Sequence, residues 1–131
     1  MNVLIASPQL YSAILAKKMQ EGKYWNPVYF QTNSSNHDFV KKEFPTAICH
    51  NYISAVKGVN PPGINIKKEI TLPLLENIVL DFTVAMSLLD RNDSNSNSFS
   101  YKERLSFCND RINYWGSIIE QFSIKTILFE E

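Results

Sequence analysis

Val3-Leu4-Ile5-Ala6-Ser7-Pro8 decides the fold of this chain. Four consecutive apolar residues suit a strand covered on both faces. Ser7-Pro8 is strand-to-helix punctuation: a serine can cap a helix, and proline at the first helical position gives up an N–H that has no intrahelical partner anyway. The spacing predicts a helix from there to Glu21, with Leu10, Ile14 and Leu15 as its apolar stripe and Gly22 as its stop.

The same alternation continues outward. Val28-Tyr29-Phe30, entered from Pro27, reads as a second strand that closes on the polar run Thr32-Asn33-Ser34-Ser35-Asn36. His37 to Phe44 reads as a short helix ended by Pro45, and Thr46-Ala47-Ile48-Cys49 as a third strand. Residues 50–69 read as an irregular loop with a rigid turn at Asn60-Pro61-Pro62-Gly63. A helix over 72–89 and a polar connector over 92–98 follow. Tyr101, Leu105, Cys108, Ile112, Trp115, Ile119 and Phe122 mark one face of a long helix started by Ser100 and Glu103. In the pair Tyr114-Trp115, this places Trp115 in the core and Tyr114 on the flank. Ile124 to Phe129 reads as a fourth strand.

Strands alternating with helices predict an α/β fold: a doubly wound parallel sheet of about four strands with helices on both faces. The expected strand order is 3-2-1-4, the half-Rossmann arrangement, within a single domain over 1–131. Ending on a strand, the chain reads as the N-terminal part of a longer protein.

Composition narrows the function. The chain has 131 residues, 44% apolar and 20% charged, with 13 basic and 13 acidic side chains and zero net charge. No basic excess marks a nucleic-acid binder, and none marks an anionic membrane surface. The apolar stretch 70–89 holds Glu76 and Asp81, so it reads as a buried helix and not as a membrane span. Cys49 and Cys108 belong to no zinc-ligand pattern and read as reduced thiols of a cytoplasmic protein.

The first strand-to-helix turn, Ser7-Pro8-Gln9-Leu10-Tyr11-Ser12, has no glycine. A dinucleotide pyrophosphate needs a close backbone approach there, so NAD and FAD are disfavoured and no cofactor is expected. GxxxxGK[ST] and GxSxG are absent, and the acidic residues of a phosphoacceptor receiver domain are missing.

Ligands of open α/β sheets sit at the carboxyl ends of the strands. Those positions hold Ser7 and Gln9, then Asn33, Ser34 and His37, then His50 and Asn51, then Glu130 and Glu131. His50 and Glu130 are the candidate proton-transfer residues, because an imidazole or carboxylate can serve as a general base. The others are candidate ligand contacts. No set has the spacing of a metal site.

Asn2-Val3-Leu4-Ile5-Ala6-Ser7-Pro8, the helix end Leu15-Ala16-Lys17-Lys18-Met19-Gln20-Glu21-Gly22 and Pro27-Val28-Tyr29-Phe30-Gln31-Thr32 resemble the opening of GT-B glycosyltransferases. The unit Tyr114–Phe122 leading to Thr126–Glu131 is similar to a helix-strand unit of the same N-terminal half. Surface-polysaccharide and capsule-synthesis transferases look closest. The resemblance implies an acceptor-side domain, inactive alone, whose missing C-terminal partner domain binds the donor. It implies a sugar or polysaccharide acceptor facing His50, Glu130 and the Ser7–Gln9 turn. Two other readings stay open: a non-enzymatic interaction module, self-associating as a homodimer through the 72–89 helix, and a stand-alone small-ligand-binding domain.

Overall fold

The computed structural model describes residues 1–67 and 101–129. The expected 72–89 helix and 92–98 connector lie outside them, as do Ser100, Glu130 and Glu131. The chain divides into two compact units, Met1–Ile64 with Ile119–Glu131, and Asn65–Ile118.

The first unit is built on β1 (Asn2–Ala6), α1 (Leu10–Glu21), β2 (Asn26–Thr32), α2 (His37–Glu43), β3 (Ile48–Asn51) and α3 (Tyr52–Val56). The strand β4 (Ile124–Phe129) follows the long helix α4 (Tyr101–Gln121). The four strands form one parallel sheet in the order β3-β2-β1-β4. The α/β fold and the strand order are those the sequence predicts.

Register assigns the faces. Ile5 pairs with Phe30 and Leu128, and Phe30 with Cys49, so these side chains share one face. There Val3, Ile5 and Phe30 pack with Ala13 and Ala16 of α1, Val40 of α2, and Phe44. Full burial of each large apolar side chain contributes about 1.5–3 kcal/mol. Phe30 and Phe44 stack at 4.6 Å between ring centroids. Lys17 of α1 reaches Glu43 of α2 at 3.1 Å, a partly exposed pair that ties the two helices together weakly. The opposite face carries Leu4 and Tyr29, both also buried. Burial on both faces is why β1 is an unbroken apolar run.

Several local expectations are corrected. Ser7 is not the N-cap of α1; Gln9 is, in extended conformation and with no side-chain cap bond. The helix therefore begins two residues beyond Pro8. Leu10, Ile14 and Leu15 do not face the core; they are exposed, and the buried residues of α1 are Ser12, Ala13 and Ala16. Small side chains let the helix backbone lie close to the sheet, and the larger ones are left on the outside. Gly22 does stop α1, but in right-handed conformation; the left-handed residue is Lys23, with φ 61°.

Pro27 lies inside β2 and not before it. A central strand rarely accepts proline, because the ring removes a ladder donor. Here the β2–β3 ladder begins only at Tyr29, and the β1–β2 register slips between Val3 and Leu4, next to Pro27. The third strand starts at Ile48, two residues later than expected. The 50–69 stretch is not wholly irregular: Asn51 accepts from the Ser54 amide at 3.2 Å and caps α3. Its proline turn is present, with Gly63 at φ 84°.

In the second unit, Tyr114 is buried and Trp115 only half-buried, the reverse of the expected split. The buried face of α4 in this unit runs through Tyr114, Ser117 and Ile118. The Ser117 hydroxyl accepts from the Lys67 amide at 2.9 Å.

Candidate functional site

Two turns meet at the carboxyl edge of the sheet. The first, Ser7-Pro8-Gln9, joins β1 to α1. Ser7 is buried, its hydroxyl lies 2.9 Å from that of Ser12, and it accepts from the Gln9 amide at 3.4 Å. This contact replaces the helix cap that the sequence suggests for Ser7.

The second turn, Asn33 to Asn36, joins β2 to α2 and is held by its own side chains. Asn36 is fully buried; its Nδ2 donates to the Gln31 carbonyl at 2.9 Å and its Oδ1 accepts from the Asn33 amide at 2.8 Å. The Asn33 side chain in turn accepts from the Ser35 amide at 2.8 Å. An asparagine bonding to backbone two or three residues away mimics a turn, which explains this composition.

Ser35 joins the two turns. Its hydroxyl proton is shared between Asn33 Oδ1 at 2.7 Å and the Pro8 carbonyl at 3.1 Å. The turns thus form one braced rim. Gln9, Ser34 and His37 stand exposed on these turns, and Asn33 is half-buried. His37 Nδ1 lies 3.2 Å from the Asp38 carboxylate, which would hold the ring when it is protonated.

His50 sits on the other face of the sheet, the one that carries Tyr29 and Ile48. It is 2% exposed. Its Nε2 lies 2.7 Å from the Val59 carbonyl. A carbonyl only accepts, so Nε2 carries a proton, and in the neutral ring Nδ1 is then the accepting nitrogen. The Tyr29 hydroxyl donates to that Nδ1. The one lone pair a general base needs is therefore occupied, and it opens only when the Tyr29 contact breaks. In this arrangement His50 ties the segment after α3 to the sheet. Asn51, its neighbour, caps α3.

The structure thus brings Ser7, Gln9, Asn33, Ser34 and His37 to the two braced turns. His50 and Asn51 belong to the β3–α3 junction, and Glu130 and Glu131 lie outside the described residues. Among the described residues, no three His, Cys, Asp or Glu side chains come together as metal ligands, and no helix is long and apolar enough to cross a membrane. Burial raises the pKa of the Cys49 thiol, and nearby Lys41 offsets this only in part, which favours the protonated form.

Ser35 and Asn36 shape this rim from within the polar run that the sequence places after the second strand, and Ser12 lies outside every candidate set read there. The Asn33-x-x-Asn36 spacing is a readable turn signal. The bond from Ser35 to Pro8 spans 27 residues, and nothing in the sequence marks it. The chain matches no protein-family model, no curated protein and no solved structure.

Proposed function

We propose that this chain is the acceptor-side domain of a glycosyltransferase-like protein in polysaccharide biosynthesis, and that its braced turns bind a sugar hydroxyl array. One observation carries the reading: the Ser35 bridge from the second turn to Pro8 of the first. It sets the exposed amide of Gln9 and the hydroxyl of Ser34 on one rim at the carboxyl edge of the sheet. Uncharged groups that both donate and accept suit a neutral polyol better than an anion. Loops braced on a rigid sheet are where binding residues concentrate. The sugar class comes from the resemblance of the N-terminal fifty residues to GT-B transferases. In this reading the chain binds acceptor and does not transfer alone; the donor belongs to a second domain.

Amide NMR of the labelled chain tests this against neutral oligosaccharides and against nucleotide sugars. The expected result is chemical-shift change with oligosaccharide at Gln9, Asn33, Ser34 and His37, weakened by Gln9→Ala with Ser34→Ala. Shifts confined to other residues overturn the site. Binding of the nucleotide sugar alone overturns the acceptor assignment.

A further inference from the structure

We propose that Asn33 is a self-modifying residue: the turn after β2 promotes the spontaneous deamidation of its side chain to aspartate and isoaspartate. The reaction needs an electrophilic side-chain carbonyl and a free amide on the following residue. Asn33 Oδ1 accepts from the Ser35 amide at 2.8 Å and from the Ser35 hydroxyl at 2.7 Å. Two donors on one carbonyl oxygen draw electron density from Cγ and stabilise the oxyanion that forms when a nucleophile adds there, as in an oxyanion hole. The bond from Oδ1 to the Ser35 amide also closes a ring that contains both Asn33 Cγ and the Ser34 nitrogen. The carbonyl carbon is thereby kept folded back beside the amide that attacks it. Ser34 is exposed, and among the described residues neither its N–H nor Asn33 Nδ2 has a hydrogen-bond partner. The nucleophile and the leaving group are both unrestrained.

The Ser34 nitrogen gives its proton to solvent hydroxide and bonds to Asn33 Cγ. The oxyanion on Oδ1 then collapses, the Cγ–Nδ2 bond breaks, and Nδ2 leaves as ammonia with a proton taken from water. A succinimide ring remains across residues 33 and 34. Water opens it at Cγ to give aspartate, or at the main-chain carbonyl carbon to give isoaspartate. One water is consumed and one ammonia released, and nothing is oxidised or reduced. Either product puts a carboxylate where the turn now holds a neutral amide. Other asparagines are placed differently. Asn26 and Asn60 precede prolines, which have no N–H to attack with. The amide after Asn36 donates to the Asn33 carbonyl at 3.0 Å, and Asn36 Nδ2 is itself held by the Gln31 carbonyl at 2.9 Å. Asn109 and Asn113 lie within α4, where the following amide is committed to a helical bond.

Peptide mass spectrometry of the whole chain, incubated at neutral pH with and without urea, tests the inference. Circular dichroism identifies the folded and unfolded samples. Asn33 should deamidate at least about twofold faster in the folded chain, since each of the two hydrogen bonds on Oδ1 favours the oxyanion. In urea it should fall to the rate of Asn95 and Asn97, which also precede serine. Ser35→Ala removes the hydroxyl donor and keeps the amide, so it should slow Asn33 in the folded chain at least about twofold. Ser35→Thr keeps a hydroxyl and should restore the rate. An Asn33 that reacts no faster folded than unfolded overturns the proposal, and that comparison needs no variant to fold. So does a folded Ser35→Ala chain as fast as wild type or faster, or a Ser35→Thr chain as slow as Ser35→Ala. None of these outcomes depends on what the turns bind.

Discussion

Asn36→Ala is the perturbation that best tests the rim. The wild-type side chain makes two hydrogen bonds from a fully buried position. Alanine leaves the Asn33 amide and the Gln31 carbonyl without those partners. An unsatisfied buried group costs about 1–3 kcal/mol. Both partners belong to half-buried residues, so water recovers part of this, and the expected loss is about 2–4 kcal/mol in total. With a urea slope of about 2 kcal/mol/M for a small domain, the unfolding midpoint should fall by about 1–2 M at unchanged slope. Asn36→Asp separates the two bonds. It keeps the acceptor for the Asn33 amide but turns a carboxylate oxygen toward the Gln31 carbonyl. Its carboxyl pKa should therefore rise. The protonated form regains a donor, so this variant should be more stable near pH 4 than near pH 7 relative to wild type. Exposed Ser34→Ala serves as the control, within about 0.5 kcal/mol of wild type. A loss below about 0.5 kcal/mol for Asn36→Ala would refute the claim that this side chain holds the second turn.

Two further predictions follow from the corrected α1 and from the thiol. Leu15→Ser should change stability by no more than about 0.5 kcal/mol because Leu15 is exposed, whereas Ala13→Leu should cost about 1–3 kcal/mol by overpacking the helix–sheet contact; urea melts in which the two effects exchange places would restore the apolar stripe to the core. Alkylation of Cys49, followed by peptide mass spectrometry, should be slow at pH 8 and reach its half-maximal rate above the ordinary thiol value of 9.0, since burial raises the pKa; half-maximal labelling below pH 8 would contradict the burial.

Strand identity was legible wherever the sequence carries continuous apolar runs. Val3–Ala6 could be read because a strand covered on both faces needs apolar residues at every position, and Ile124–Phe129 because its apolar residues Ile124, Ile127, Leu128 and Phe129 follow the long helix directly. The half-Rossmann arrangement of alternating strands and helices then supplied the order 3-2-1-4, which is the one observed. The turn after β2 was legible as well, since asparagine and serine at that spacing bond to their own backbone. These are local effects, settled by residues within a few positions of one another.

Tertiary structure decided the rest. Helix faces were misread in α1, where apolar periodicity pointed to Leu10, Ile14 and Leu15, but the sheet accepts only the close approach that Ala13 and Ala16 allow. In α4 the same rule favoured Trp115 over Tyr114. His50 read as a general base because of where it stands along the chain; the Tyr29 hydroxyl and the Val59 carbonyl occupy both of its nitrogens, and neither contact is local in sequence. The Ser35 bridge to Pro8 is likewise set by which segments the fold brings side by side. Periodicity and turn chemistry therefore fix where elements begin and which sheet they join. Only packing distance and long-range hydrogen bonds decide which faces are buried and which polar groups remain free for a ligand.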